Sequence, residues 1–335
     1  MAGPSQKLSV ANFTLKFGHM TMLDKFEQIV YPAFIGNHKR KYGEATYMLN
    51  DVELLEDLDG ELYLSGRLIK NTTLTRDQVF RDGKLVDDRM ALESAPSCFF
   101  VLQLSNHKLF FVKETSYAPL LATFESTIQN FLMSSYRTYI RQKYDEAKSK
   151  DSSITWESIT TEHPRPELKI TPMASEDSLN AHFAKFQVIR SVEVKLLETN
   201  HELDNSALFK DMRKVGDALG ADDILVKSQK RGGEDGLNKA NVARLIRPQA
   251  ESGNAKIKLV GKAINGERLT TENENFNFIV PIKKLAKSVK TAAAEVIDKV
   301  KDQLSLGVLE FQKHPSAPLE NIKEGVLKGS YERLR

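Results

Sequence analysis

Apolar and polar positions alternate from the start: LSVANFTLKF reads as a strand. MLDKFEQIVYPAFI shifts to helical spacing, expected to end at Pro32, and GNHKRKYGE is a basic loop. Alternation returns in ATYMLNDVELLEDLDGELYLSGRLIK, where Asp59-Gly60 is a turn signal between two strands; Asp82-Gly83 in RDGKLVDD is a second. SCFFVLQLSNHKLFFVKET is the clearest hairpin, two aromatic-rich strands about Ser105-Asn106-His107-Lys108. Its nearly continuous apolar runs suit a central pair covered on both faces. APLLATFESTIQNFLMSSYRTYIRQKYDEAKSK follows as a long helix, with Leu120, Phe124, Ile128, Phe131, Leu132, Ser135, Tyr139 and Tyr144 near helical spacing.

Periodicity then lapses. Residues 151–176 hold Pro164, Pro166 and Pro172 and read as a linker or extended crossing segment. A second unit follows: the strand FQVIRSVEVKLLET, then the helix DNSALFKDMRKVGDALG, with Asp204 or Asn205 as N-cap and Gly220 at its end. Next come the strand DDILVKSQKR, a flexible tip GGEDG, the helix LNKANVARLIRPQAESG broken near Pro248, and a hairpin turning at Asn265-Gly266. The fold expected is α+β with two domains: mixed, mostly antiparallel sheets with helices packed on one face. The expected boundaries are an N-terminal α+β domain over 1–150, a linker over 151–180, a second α+β domain over 181–282, and a basic helix and tail over 283–335.

PIKKLAKSVKTAAAEVIDKVKDQL, from Pro281 to Leu304, reads as a helix with its charges reversed. Lys283, Lys284, Lys287 and Lys290 crowd the first two turns, while Glu295, Asp298 and Asp302 come later. Lysines near a helix N-terminus oppose its dipole by roughly a few tenths of a kcal/mol each. Either they face an external anion or they are simply solvated.

The 335 residues suffice for two cores, and 41% hydrophobic with 28% charged residues is ordinary for a globular protein. The single cysteine, Cys98, excludes an intramolecular disulfide and reads as a buried small hydrophobe. There is no apolar signal core and no run near ~18 apolar residues, so a cytoplasmic protein that does not span a membrane is expected. Net charge is only +3, but it is patchy. Residues 51–61 carry Asp51, Glu53, Glu56, Asp57, Asp59 and Glu61 and no base, a solvated hairpin edge. Lys227, Lys230, Arg231, Lys239, Arg244 and Arg247 face only Glu234 and Asp235, and Arg137, Arg141, Lys143, Lys148 and Lys150 face only Asp145 and Glu146. One anion-facing side fits this distribution.

Catalytic patterns are sparse. The seven histidines (His19, His38, His107, His163, His182, His201, His314) form no pair at i, i+3 or i, i+4. Nucleophile-elbow, phosphate-loop and dinucleotide motifs are absent. Glu193 and Lys195 in VEVKL, with Asp222 and Asp223 or Asp87 and Asp88, match the carboxylates and lysine of a metal-dependent nuclease, a pattern any charged strand produces. For binding, Arg137, Arg141 and Lys148 fall near one side of the long helix with Tyr136, Tyr139 and Tyr144 interleaved, rings suited to stacking on bases or contacting sugars, although the position of Tyr139 also fits the core. Lys227, Lys230 and Arg231 lead into the glycine loop, with Lys239 and Arg244 on the next helix. No base-reading motif accompanies them, so contacts to phosphates are expected.

Residues 94–132 resemble the strand-turn-strand-helix of the RexA-type phage-exclusion proteins. ITPMASED at 170–177, RSVEVKLLET at 190–199 and AKIKLVGKAINGERLT at 255–270, followed by the lysine-led helix, are similar in order and spacing. The likeness covers roughly 90–300, and a more distant one is to the ring-forming recombination protein RdgC. The resemblance implies a homodimer that binds double-stranded DNA without sequence preference and senses phage infection beside a membrane-protein effector. It carries over no catalytic residue, and the first ninety residues exceed what it would supply.

The expected function is therefore sequence-independent duplex binding, without cofactor or metal, in anti-phage abortive infection. The expected phosphate contacts are Arg137, Arg141, Lys227, Lys230, Arg231, Lys239, Arg244, Lys283, Lys284, Lys287 and Lys290. The alternatives are a metal-dependent nuclease effector and a non-catalytic interaction scaffold whose lysines meet an acidic partner, for instance the 51–61 strip of a second copy.

Overall fold

The computed structural model describes residues 5–197, 207–221, 224–232 and 234–311, with Leu319, Ile322, Glu332 and Arg333. The chain begins β1 (Gln6–Phe17), β2 (Met20–Thr21), a 3-10 turn (Leu23–Lys25), a π turn (Phe26–Val30), α1 (Tyr31–Ile35), β3 (Lys39–Tyr42) and β4 (Ala45–Glu56). It continues β5 (Leu62–Arg81), β6 (Lys84–Ser94), β7 (Ser97–Gln103), β8 (Lys108–Lys113), α2 (Leu121–Lys150), α3 (Trp156–Glu162), β9 (Glu167–Pro172) and α4 (Glu176–Phe183). Then come β10 (Phe186–Leu196), α5 (Ala207–Leu219), β11 (Ile224–Gln229), α6 (Lys239–Ser252), β12 (Ala255–Ala263), β13 (Arg268–Glu272), β14 (Ile279–Ile282), α7 (Val289–Ser305) and β15 (Glu332–Arg333).

This is an α+β fold built on two sheets. The larger runs β14-β1-β8-β7-β5-β4-β15 and the smaller β11-β10-β12-β13. Among the described residues every strand pairing is antiparallel except that of β15 with β4. The β7–β8 hairpin sits centrally, as its apolar runs predict. On one face Phe100 and Phe111 meet Phe124 of α2 at ring separations of 5.2 and 5.8 Å. On the other, Phe99, Val101, Phe110 and Val112 lie under Ala292, Ala293, Val296 and Ile297 of α7. Alanines in this stripe let the helix approach the sheet closely. The small sheet buries one face against α4, α5 and α6.

The small unit interrupts the large one. β9 enters it and β14 leaves it, and both lie end to end along the same edge of β1. The Met173 amide donates to the Val10 carbonyl at 2.9 Å, and the Met173 carbonyl accepts from Phe278 at 2.7 Å. A buried polar strap joins the units: Lys108 Nζ donates to Asn12 Oδ1 and Asn12 Nδ2 to Asn254 Oδ1, both at 3.0 Å. Gly253, with φ +71°, ends α6 where a Cβ would stand 2.9 Å from that of Asn12.

The structure departs from the sequence reading at several points. The segment read as a linker or extended crossing segment holds α3, the extended strand β9 and the start of α4, whose N-cap Ser175 forms a capping box with Ser178. Pro32 opens α1 instead of ending a helix, because a π turn delivers the chain there and the missing N–H falls at a helix start. The basic loop at 36–44 contains β3, paired with β4. Pro248 sits inside an unbroken α6, held by burial of Val242, Ile246 and Ala250 on one face. The expected N-cap of α5, Asp204 or Asn205, lies outside the described residues.

Candidate nucleic-acid interface

The lysine-led segment is not a reversed-charge helix. β14 claims Pro281 and Ile282, which pair with Lys7 and Gln6 of β1. Proline is tolerated there because β14 is an edge strand. α7 starts only at Val289, with Ser288 as its extended N-cap, so Lys283, Lys284 and Lys287 precede the helix and Lys290 alone stands in its first turn. The dipole argument fails for three of the four.

What holds this connector is its backbone. The Leu285 amide donates to Gln6 Oε1 at 3.0 Å and the Ala286 amide to Glu295 Oε2 at 3.3 Å. The Arg67 guanidinium donates to the carbonyls of Ala286 and Lys287 at 2.8 and 2.9 Å. Arg67 is itself fixed by Glu114 at 3.0 Å and by the Phe99 ring beneath it. Leu285 is buried, while Lys283, Lys284 and Lys287 are exposed. Strand register adds two lysines the sequence reading missed: Lys7 lies between Pro281 on one side and Lys113 on the other. The acid nearest in sequence, Glu114, is committed to Arg67 and Ser97. The result is a lysine edge on a fixed backbone.

Arg137 and Arg141 do not join it. They are exposed on α2, past the point where Gln129 and Tyr136 reach the carbonyls of Pro166 and His163. That point adjoins the Glu167–Lys16 pair at the far end of β1, so these arginines sit at the opposite end of the large sheet from Lys7. The interleaved tyrosines are not base platforms: Tyr136 and Tyr139 are buried, and Tyr144 packs edge-on to Trp156. Lys148 closes the end of α2 by donating to the carbonyls of Ser152 and Ile154.

The third group forms a corner of the small unit. Lys227 is paired with Glu193 at 2.6 Å, Lys239 donates to the Phe186 carbonyl, and Arg244 reaches Asn241 at 3.1 Å. Lys230 and Arg231 are exposed at the end of β11. The loop beyond them is anchored, not a free tip. Arg190 donates to the carbonyls of Gly232 and Asp235 at 3.0 and 2.8 Å, and Leu237 to that of Ile189 at 2.8 Å.

Acidic candidates are also accounted for. Lys301 of α7 reaches Asp57 and Asp59 at 3.0 and 2.9 Å, so the 51–61 strip clasps a helix of its own chain. The hydrogen bond from Lys301 holds the Asp59 carboxyl below the usual range. Glu193 is ion-paired, Asp87 and Asp88 lie on the β5–β6 hairpin, and Asp88 is bound by Arg76 and Arg81. Asp222 and Asp223 lie outside the described residues, as do His201 and His314. Among the described residues no three potential metal ligands cluster. Cys98 is fully buried, which pushes its thiol well up. Among the described residues no helix is long and apolar enough to cross a membrane.

One cleft, of about 480 Å³, separates α2 and β9 from the polar face of the small sheet. Across that face Lys227, Glu193, Lys258 and Glu272 stand in register, an alternating-charge ladder with Lys258–Glu272 at 3.3 Å. On the opposite wall, burial raises the pKa of Glu125, which accepts from the Ile170 amide at 3.1 Å. An acid with a raised folded pKa favours the fold at low pH and loses that advantage as pH rises through the folded value. Glu125→Gln keeps an acceptor and removes the charge. Its thermal midpoint should exceed that of the unchanged protein at pH 7–8 and match it near pH 4; an equal or lower midpoint at pH 8 would show that the carboxylate is not strained.

No protein-family model matches the chain, and no curated protein matches it.

Proposed function

We propose that the protein binds duplex DNA without sequence preference, gripping the phosphate backbone with the lysine edge. The carrying observation is that Lys7, Lys113, Lys283, Lys284 and Lys287, drawn from three separate parts of the chain, gather at one end of the large sheet on a backbone fixed by Arg67 and Gln6. Point charges on long stems suit phosphate, and nothing in the group is shaped to read base edges. The likeness to RexA-type proteins supports a place in phage defence as a homodimeric sensor beside a membrane effector. Lys230, Arg231 and Arg244 at the small-unit corner, and Arg137 with Arg141, contribute less. The test is affinity for a random duplex against salt concentration. Log K should fall linearly with log salt at a slope of about −4.5, since each of the five lysines neutralises one phosphate and contributes about −0.9. A slope near zero overturns the reading.

A further inference from the structure

The outer halves of β5 and β6 leave the large sheet as a two-stranded ribbon, Thr72 to Arg81 against Lys84 to Ser94. An isolated hairpin is at best marginally stable in water, and this one exposes an unusual amount of apolar surface. Phe80, Leu85, Met90 and Leu92 are 72, 70, 52 and 59% exposed. All four share one face. Phe80 stands opposite Leu85 and Leu74 opposite Leu92, and the even spacing from 74 to 80 puts both pairs on the same side. Seven residues separate Leu85 from Leu92, which would place them on opposite faces of a regular strand. The register shift between Arg76 and Gln78 inserts the extra residue that reunites them.

That shift makes β6 self-complementary. Two copies of β6 running antiparallel about a two-fold axis must place same-face residues opposite each other. With Leu85 opposite Leu92 of the second copy, the order of the strand sets Lys84 against Glu93, Val86 against Ala91 and Asp87 against Met90. The leucines meet on the apolar face and the opposite charges on the polar one. The outer edge of β6 pairs with no strand among the described residues and contains no proline. We propose that two copies of this chain join edge to edge through β6, forming a four-stranded sheet centred on the Leu85–Leu92 contacts. Nucleic acid is not the occupant: from 74 to 93 Arg76, Arg81, Lys84 and Arg89 are outnumbered by five acids, a net of −1. The inference rests on the ribbon alone and stands or falls separately from the DNA reading.

Cysteine cross-linking reads the register directly, since the one native cysteine is buried. Opposed positions in a ladder lie within disulfide reach, whereas Leu85 and Leu92 of one chain are about 23 Å apart at ~3.3 Å per residue. Under mild oxidation, Leu85→Cys with Leu92→Cys in one chain should give covalent dimers, and so should an equimolar mixture of the two single variants. Each single variant alone should stay uncross-linked. In sedimentation, Lys84→Glu should weaken the dimer roughly fivefold, and adding Glu93→Lys should restore it. Cross-linking of Leu85→Cys alone, a dimer that yields no cross-link in the mixture, or a monomer at tens of micromolar would each overturn the pairing.

Discussion

Replacing Lys7, Lys283, Lys284 and Lys287 together with glutamine should lower affinity for a random duplex about a thousandfold at ~0.1 M salt and flatten the salt slope by about 3.6, at ~0.9 per phosphate contact. The four side chains are exposed, and among the described residues none makes an ion pair. The fold should therefore tolerate the change within about 0.5 kcal/mol, as surface substitutions usually do. Arg137→Gln with Arg141→Gln is the informative control, because those side chains lie at the other end of the sheet and should move the slope far less. An unchanged slope in the lysine variant, with loss in the arginine variant, would relocate the interface to α2.

Arg67 should prove the most costly single side chain of this region. Arg67 and Glu114 are only 13 and 12% exposed and meet at 3.0 Å, and Arg67 also holds two carbonyls of the lysine connector. Arg67→Ala leaves the Glu114 carboxylate buried and unpaired, a loss of about 3–5 kcal/mol. The measurement is the urea midpoint at constant slope. Arg67→Met with Glu114→Gln, which leaves no orphaned charge and keeps an acceptor for Ser97, should recover much of it. If the single variant loses under about 1 kcal/mol, the pair is solvated and does not fix the connector. DNA affinity should fall less in Arg67→Ala than in the lysine variant, since the lysines keep their charge and lose only their placement.

Much of the fold was legible in the sequence where local signals agree. The β7–β8 runs, the long α2, the Asn265-Gly266 turn and the α+β class with mostly antiparallel sheets all follow from periodicity and turn chemistry. Misreadings arose where a distant strand overrode a local preference. KKLAKSVK has helical composition, yet Gln6 and Lys7 pair with the residues before it and Arg67 captures its carbonyls, so the helix starts later. The 151–176 segment, read as a linker or extended crossing segment, shows no periodicity of its own because its strand, β9, gains its partner from β1. Tyr139 falls on the apolar stripe of α2 and is buried as that spacing predicts, whereas Tyr136 was read only as interleaved with the arginines, because a helix face says nothing of what packs on it. Here His163 and Lys25 do.

The candidate site divides the same way. Sequence determined that the chain has basic clusters, where the hairpins turn and that Cys98 is buried, because each depends on residues close along the chain. Only the tertiary structure decided which charges act together. It joined Lys7 and Lys113 to the connector lysines, took Lys227 into an ion pair with Glu193, spent Asp57 and Asp59 on Lys301, and separated Arg137 and Arg141 from the rest. The physical reason is that electrostatic partnership depends on distance through space, and strand register and helix packing set that distance from residues far apart in sequence.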